Sequence, residues 1–284
     1  MTWRVRVRHR TGYSYDGDVV SSFNEARMTP LTDPSQATLE SRVEISPAAS
    51  AYRYRDYWGT QVTAFDLQTP HDRLVVNATS VVETLLRQGI SGELSWSDLR
   101  NDIVRDPYAE WLSVTRRTDP GEELTELARE VASSPGGALS PAVAAIACVE
   151  KVRSEMEYRL GATAVHTSGL EAWQERKGVC QDFAHVTLAM LRSLGLPARY
   201  VSGYLHPKAS AEIGEVVEGE SHAWVEWWDG EWIGYDPTNG NPVGEQHVAV
   251  ARGRDYDDVA PLKGIYSGPK SSALGVTVEV TRLA

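Results

Sequence analysis

Two different periodicities divide this chain, and the break between them limits what it can fold into. In WRVRVRHR (3–10) the arginines at 4, 6, 8 and 10 alternate with Trp3, Val5 and Val7, the period of two that marks a half-buried strand. Further strand-like runs lie at SRVEI (41–45), AYRYRDYW (51–58), QVTAFDL (61–67) and RLVVNATSVVETL (73–85). Turn residues such as Asp16-Gly17, Ser46-Pro47 and Trp58-Gly59 separate several of them, and no helix-period segment interrupts. The pattern predicts an N-terminal antiparallel β-sandwich over 1–87. The arginine row reads as its solvated face.

From about residue 96 the pattern changes. GEELTELAREVA (121–132) reads as a helix and SSPGGALS (133–140) as a loop. Ser140 as N-cap and Pro141 in the first turn then open a second helix, PAVAAIACVEKVRSEMEY. A second domain, 88–284, follows, and the whole is α+β. With 284 residues, 42% of them hydrophobic, the chain is long enough to bury two ordinary cores. Its net charge of −11 argues against general nucleic-acid binding, which needs a clustered cationic excess. No apolar run approaches the ~20 residues that span a bilayer, and the opening MTWRVRVRHR has no apolar signal segment, so no membrane association and a cytoplasmic location are expected. The two cysteines are read as free thiols. Cys148, in an Ala- and Val-rich helix, is expected to be a small buried hydrophobe.

The other cysteine lies in GVCQDFAH (178–185). After it Phe183, Thr187, Met190, Leu191 and Leu194 fall on one helix face, and Gly195 ends the helix. Cys180 therefore sits at a helix N-terminus, where unpaired N–H groups and the dipole favour a thiolate and can also hold an oxyanion. Downstream, ARYVSGYL (198–205) reads as a strand and SHAWVEWWDGEWIGYDP (221–237) as a hairpin. A two-residue Asp229-Gly230 loop would put His222 and Asp236 on opposite faces. A three-residue loop, Trp228-Asp229-Gly230 with Gly230 left-handed, pairs Trp227 with Glu231 and sets His222 directly opposite Asp236. In that register Trp224 lies on the functional side, while Ala223, Val225 and Ile233 back onto the core. Asp236 would orient His222, and His222 would take the proton of Cys180, the nucleophile.

The remaining candidates have simpler readings. Gln181 and Asp182 suit a first helical turn, and His185 projects from another part of the helix as a packed histidine. A zinc site from Cys180, His185 and His222 lacks any paired ligand spacing, so no metal and no cofactor are expected. Glu212, Glu215, Glu218 and Glu220, in the loop before His222, read as solvated, with an overhang above the cleft as the rival.

GVCQDFAH, LRSLGLPARYVSGYL, SHAWVEWW and YDPTNG resemble the core blocks of the bacterial transglutaminase-like family. HRTGYSYD (9–16), DYWGTQV (56–62) and GRDYDDVAPLKG (253–264) are similar to its N-terminal and C-terminal segments, so the resemblance covers nearly the whole chain. It implies a papain-like core with Cys180 as nucleophile, His222 as base and Asp236 as orienter. The expected activity is attack on an amide or isopeptide bond of a peptide or protein substrate through a thioester, with hydrolysis favoured over transamidation. A catalytically silent binding module is the other reading. A transamidase must keep water from the thioester. Trp224, Trp227, Trp228 and Trp232 are candidates to wall such a tunnel, but simple hairpin packing is the favoured expectation for each.

Overall fold

The computed structural model describes residues 2–85, 92, 94–134, 137–208 and 210–284. Its N-terminal part is all strand: β1 (Thr2–Val19), β2 (Ser21–Ala26), β3 (Gln36–Ser46), β4 (Ala51–Arg55), β5 (Gln61–Leu67) and β6 (His71–Leu85). β6 pairs antiparallel with β1 and with β3, while β5 pairs with β2 and with β4. The two sheets close on a core that includes Tyr15, Val19, Met28, Phe65, Leu74 and Val76, which makes the sandwich. Of the arginine row, Arg4 bonds Glu83 across the strands and Arg8 reaches Glu279 at 3.5 Å. These are exposed pairs that stabilise little. β2 escaped the alternation because two of its inward residues, Ser22 and Asn24, are polar; they satisfy each other, Asn24 Nδ2 donating to Ser22 Oγ at 3.0 Å.

Three short helices, α1 (Trp96–Leu99), α2 (Asp102–Arg105) and α3 (Ala109–Leu112), lead into α4 (Gly121–Val131). A two-residue hairpin of β7 (Ser133–Ser134) and β8 (Gly137–Ala138) follows, then α5 (Pro141–Glu155), β9 (Glu157–Tyr158), α6 (Gly169–Glu175), β10 (Lys177–Gly178) and α7 (Cys180–Ser193). Ser140 caps α5 through the Val143 N–H, as expected. The one-faced amphipathic pattern expected for α7 does not hold. Every residue from Asp182 to Arg192 is buried, because α4, α5 and α6 pack around the helix and a sheet closes the remaining side. A helix enclosed in this way needs no polar stripe.

The chain continues as β11 (Ala198–Leu205), β12 (Val216–Trp228), β13 (Trp232–Asp236), β14 (Asn241–Pro242), β15 (His247–Gly253), α8 (Tyr256–Val259), β16 (Leu262–Ser267), β17 (Ser271–Ala273) and β18 (Thr277–Arg282). β12 lies between β11 and β13, and its Ala223, Val225 and Trp227 meet α7 in the main core. The last strands return to the N-terminal sandwich: β16 pairs with β2, and β17 and β18 pair with β1. β18 also pairs with Val216–Gly219 at the start of β12. The stretch 262–282, grouped by sequence with the second domain, thus covers the second edge of β1, which would otherwise be an open hydrogen-bonding template. One sheet, ten-stranded among the described residues, runs from the sandwich into the second half. Among the described residues no helix is long and apolar enough to cross a membrane.

Candidate active site

The helix end that carries Cys180 is built by its neighbours. Val179, at the N-cap, has no side-chain acceptor, so Asp182 reaches back and its Oδ2 accepts from the Val179 N–H at 2.8 Å and from Thr163 Oγ1 at 2.6 Å. Burial pushes the Asp182 carboxyl above its ordinary pKa against the pull of those donors. Gly178 leaves room for this arrangement, since a Cβ there would lie 2.6 Å from the Asp182 side chain. Cys180 becomes the first helical residue, partly exposed; the Asp182 and Phe183 N–H groups donate to Val179 O, which leaves those of Cys180 and Gln181 without an intrahelical acceptor. It faces a cleft of about 720 Å³ that His222 also lines.

The hairpin register differs from the expected one. Trp228 pairs with Trp232 and Trp227 with Ile233, so the three-residue loop is Asp229-Gly230-Glu231. Gly230 is left-handed (φ 84°), a conformation open to glycine, and it stands second in that loop instead of third. Trp228 stays in the ladder because its N–H donates to Pro197 O at 2.9 Å while the Asp229 N–H donates to Glu231 O at 2.9 Å. The slip moves the pairing by two residues, which leaves every side chain on its face. Asp236 comes level with Trp224, and His222 is its diagonal neighbour instead of its direct partner. The two still meet, His222 Nε2 donating to Asp236 Oδ2 at 2.7 Å.

Asp236 is fully buried inside a cage of donors. Oδ1 accepts from the backbone N–H groups of Thr238 (2.9 Å) and Asn239 (3.1 Å), and Oδ2 from Asn239 Nδ2 (2.7 Å) as well as from His222. A fifth donor went unnoticed in the sequence: His247, whose Nε2 lies 3.4 Å from Oδ2. Burial alone would raise the Asp236 pKa, but the hydrogen bonds from His222 and His247 outweigh it and hold the carboxyl well below its usual range. Burial would likewise lower His222; its hydrogen bonds with Asp236 and Cys180 overcome that and raise it above the ordinary histidine value. With Nε2 engaged by Asp236, Nδ1 is the nitrogen left for the Cys180 thiol. His222, Asp236 and His247 offer ligand atoms within 4.8 Å of one another. Each of these atoms is already engaged in the proton-bearing bonds above, so the trio is a hydrogen-bonded network before it is a cation cage.

The other candidates fall elsewhere. His185 is fully buried and accepts from the Tyr256 N–H at 3.2 Å, a packed histidine pushed down to about 3 by burial. Cys148 is buried and its thiol is pushed up to about 12. Trp224 packs with Val201, Val243 and Ala249, Trp227 stacks toward Tyr235, and Trp228 and Trp232 meet Tyr108. None of the four borders the cleft among the described residues. Of the glutamates, Glu215 pairs with Lys208, Glu212 is exposed, and Glu218 reaches the cleft margin opposite Glu279; the Glu220 side chain lies outside what the structure describes. The far wall comes from the sandwich and its returning strands, with His9, Thr11, Tyr13, Leu274 and Val276.

The family model for the bacterial transglutaminase-like N-terminal region matches residues 5–83, and the transglutaminase-like superfamily model matches 126–237. An uncharacterized protein of Mycobacterium leprae is 49% identical over 99% of this chain and 100% of its own length. The chain belongs to the bacterial transglutaminase-like family. A protein-glutamine gamma-glutamyltransferase of Pseudomonas aeruginosa is 28% identical over 51% of the chain, a stretch that makes up only 22% of that larger protein. A solved structure from Cytophaga hutchinsonii, described as a candidate cysteine protease, superposes with a TM-score of 0.78 over 100% of this chain and 92% of its own at 23% identity, a likeness of fold. Membership in this family supports a thiol enzyme on an α+β, transglutaminase-like fold.

Proposed function

We propose that the protein cleaves amide bonds of peptide or protein substrates, with Cys180 as nucleophile, His222 as general base and acid, and Asp236 as orienter. The observation that carries this reading is the convergence of a helix-end cysteine and an Asp236-anchored imidazole on one cleft. His222 Nδ1 takes the thiol proton as sulfur attacks the carbonyl, and the Cys180 N–H at the helix end faces the oxyanion. Collapse expels the amine with the proton from His222. Water, deprotonated by the same imidazole, then attacks the thioester, releasing the acid and restoring the thiol. Hydrolysis is favoured over transfer to an amine because the four hairpin tryptophans are spent on packing and, among the described residues, do not border the cleft, so they do not hold water away from the thioester. The Pseudomonas relative is named for transfer and the Cytophaga structure for proteolysis, so both outcomes have a precedent.

The test is a mass-spectrometric screen of peptides with and without a small primary amine, comparing the wild type with Cys180→Ala. Cleavage or deamidation lost in the variant supports hydrolysis, and amine adducts support transfer. Equal product from both proteins refutes the assignment of Cys180.

A further inference from the structure

His247 hangs on the same carboxylate oxygen as His222, and it is held in place from the other half of the molecule. Its Nδ1 accepts from the Gly244 N–H at 3.2 Å, which puts its proton on Nε2, the atom that donates to Asp236 Oδ2. Its backbone N–H closes the same turn onto Gly244 O at 3.0 Å, and its ring packs edge-on against Trp224 at 5.3 Å. The ring is buried, and burial lowers its pKa, so it serves as a neutral donor. The N-terminal sandwich grips the backbone on either side of it. Gln36 reads both peptide groups of Ala249, its Nε2 donating to the carbonyl and its Oε1 accepting from the N–H, each at 2.8 Å. Thr84 Oγ1 donates to Glu245 O at 2.6 Å, and the Leu31 N–H donates to Ala249 O at 3.0 Å.

We infer that His247 is a positioning residue for Asp236, and that the N-terminal sandwich, through Gln36 and Thr84, sets where it stands. The inference rests on the reading of Cys180, His222 and Asp236 given above. Oδ1 is fixed by two backbone donors, but Oδ2 can bind His222 squarely only while its remaining donors hold the carboxyl plane. The sandwich is therefore part of the site's framework, besides walling its cleft.

The test compares His247→Leu, which keeps bulk and loses the donor, with His247→Gln, which keeps a donor, and with Gln36→Leu on the sandwich side. Iodoacetamide alkylation of Cys180 is followed against pH, with thermal melting in parallel. When His222 loses its orientation the sulfur loses the base that takes its proton, so alkylation should set in at higher pH. For His247→Leu the expected displacement is about one pH unit, roughly tenfold in rate on the rising limb. His247→Gln should stay within about twofold of wild type, and Gln36→Leu should show part of the displacement. Asp182 in the first turn of α7 and the titratable groups that line the cleft with Cys180 and His222, namely His9, Tyr13, Tyr158, Tyr200, Glu218 and Tyr256, are unchanged in all three variants. A His247→Leu protein that melts lower yet has the wild-type profile overturns the positioning role. An undisplaced Gln36→Leu profile overturns the link to the sandwich, and this variant carries the test if His247→Leu does not fold. Labelling needs no substrate, so its outcome is independent of whether amide turnover is found.

Discussion

Replacing Asp236 by asparagine changes one atom and reverses one hydrogen bond. The carboxylate now accepts five hydrogen bonds, three of them on Oδ2, from His222, Asn239 and His247. In Asp236→Asn one terminal atom becomes an NH₂ donor. If it takes the Oδ2 place, the His222 proton must leave Nε2 for Nδ1, and the nitrogen facing Cys180 can no longer accept the thiol proton. If it takes the Oδ1 place, it meets the backbone N–H groups of Thr238 and Asn239, which cannot move. The first arrangement costs less, so the imidazole adopts the wrong tautomer. Loss of a correctly oriented base is worth about 10²- to 10⁴-fold, or about 3 to 5 kcal/mol at ~1.4 kcal/mol per decade. Stability falls as well: two donors left facing an NH₂ group, at ~1–3 kcal/mol each, give about 2–6 kcal/mol, a drop in Tm of roughly 4–24 °C at ~2–4 °C per kcal/mol for a chain of this size. Turnover of a screened peptide and the rate of Cys180 alkylation measure the first effect, and calorimetry the second. An Asp236→Asn protein that alkylates and turns over within twofold of wild type would show that Asp236 does not set the tautomer of His222.

Cys180 is expected to react with iodoacetamide at neutral pH well ahead of Cys148, which is buried with its thiol pushed up to about 12; peptide mapping of partial labelling checks this, and equal rates contradict it. His9, buried and hydrogen-bonded to Tyr204 at 2.9 Å, is pushed down to about 4 from 6.5. Because the unfolded histidine takes a proton that the folded one refuses, His9 stabilises the fold above pH 6.5, and its contribution of roughly 3 kcal/mol is lost as pH falls toward 4. Urea melts of wild type and His9→Gln between pH 7.5 and 4.5 should show the shallower decline in the variant. A Cβ at Gly203, opposite His222 in the sheet, would stand 2.1 Å from Val248 O and 2.6 Å from the Trp224 ring. Gly203→Ala is therefore expected to cost about 3 kcal/mol, read as a lower urea midpoint; an unchanged midpoint would mean that β15 yields more easily than its pairing suggests.

What the sequence determined by itself is local. Alternation in WRVRVRHR and QVTAFDL gave strands at β1 and β5, and Ser140-Pro141 and Gly195 marked the helix boundaries seen at α5 and α7. The residue types at Cys180, His222 and Asp236 were enough to name the candidate site, because chemistry of this kind needs those groups and few others. Tertiary structure decided what depends on neighbours far along the chain. β2 hid its strand behind inward Ser22 and Asn24, which a strand tolerates only when a partner satisfies them. The hairpin register followed Pro197, a residue outside the hairpin, which holds Trp228 in the ladder. α7 could not be read as enclosed, since burial on every side is a property of the helices and sheet around it. His247 carried no local signal at all. It stands beside Asp236 because Gln36 and Thr84, more than 160 residues earlier in the chain, hold the backbone on either side of it, and no periodicity within β15 encodes that contact.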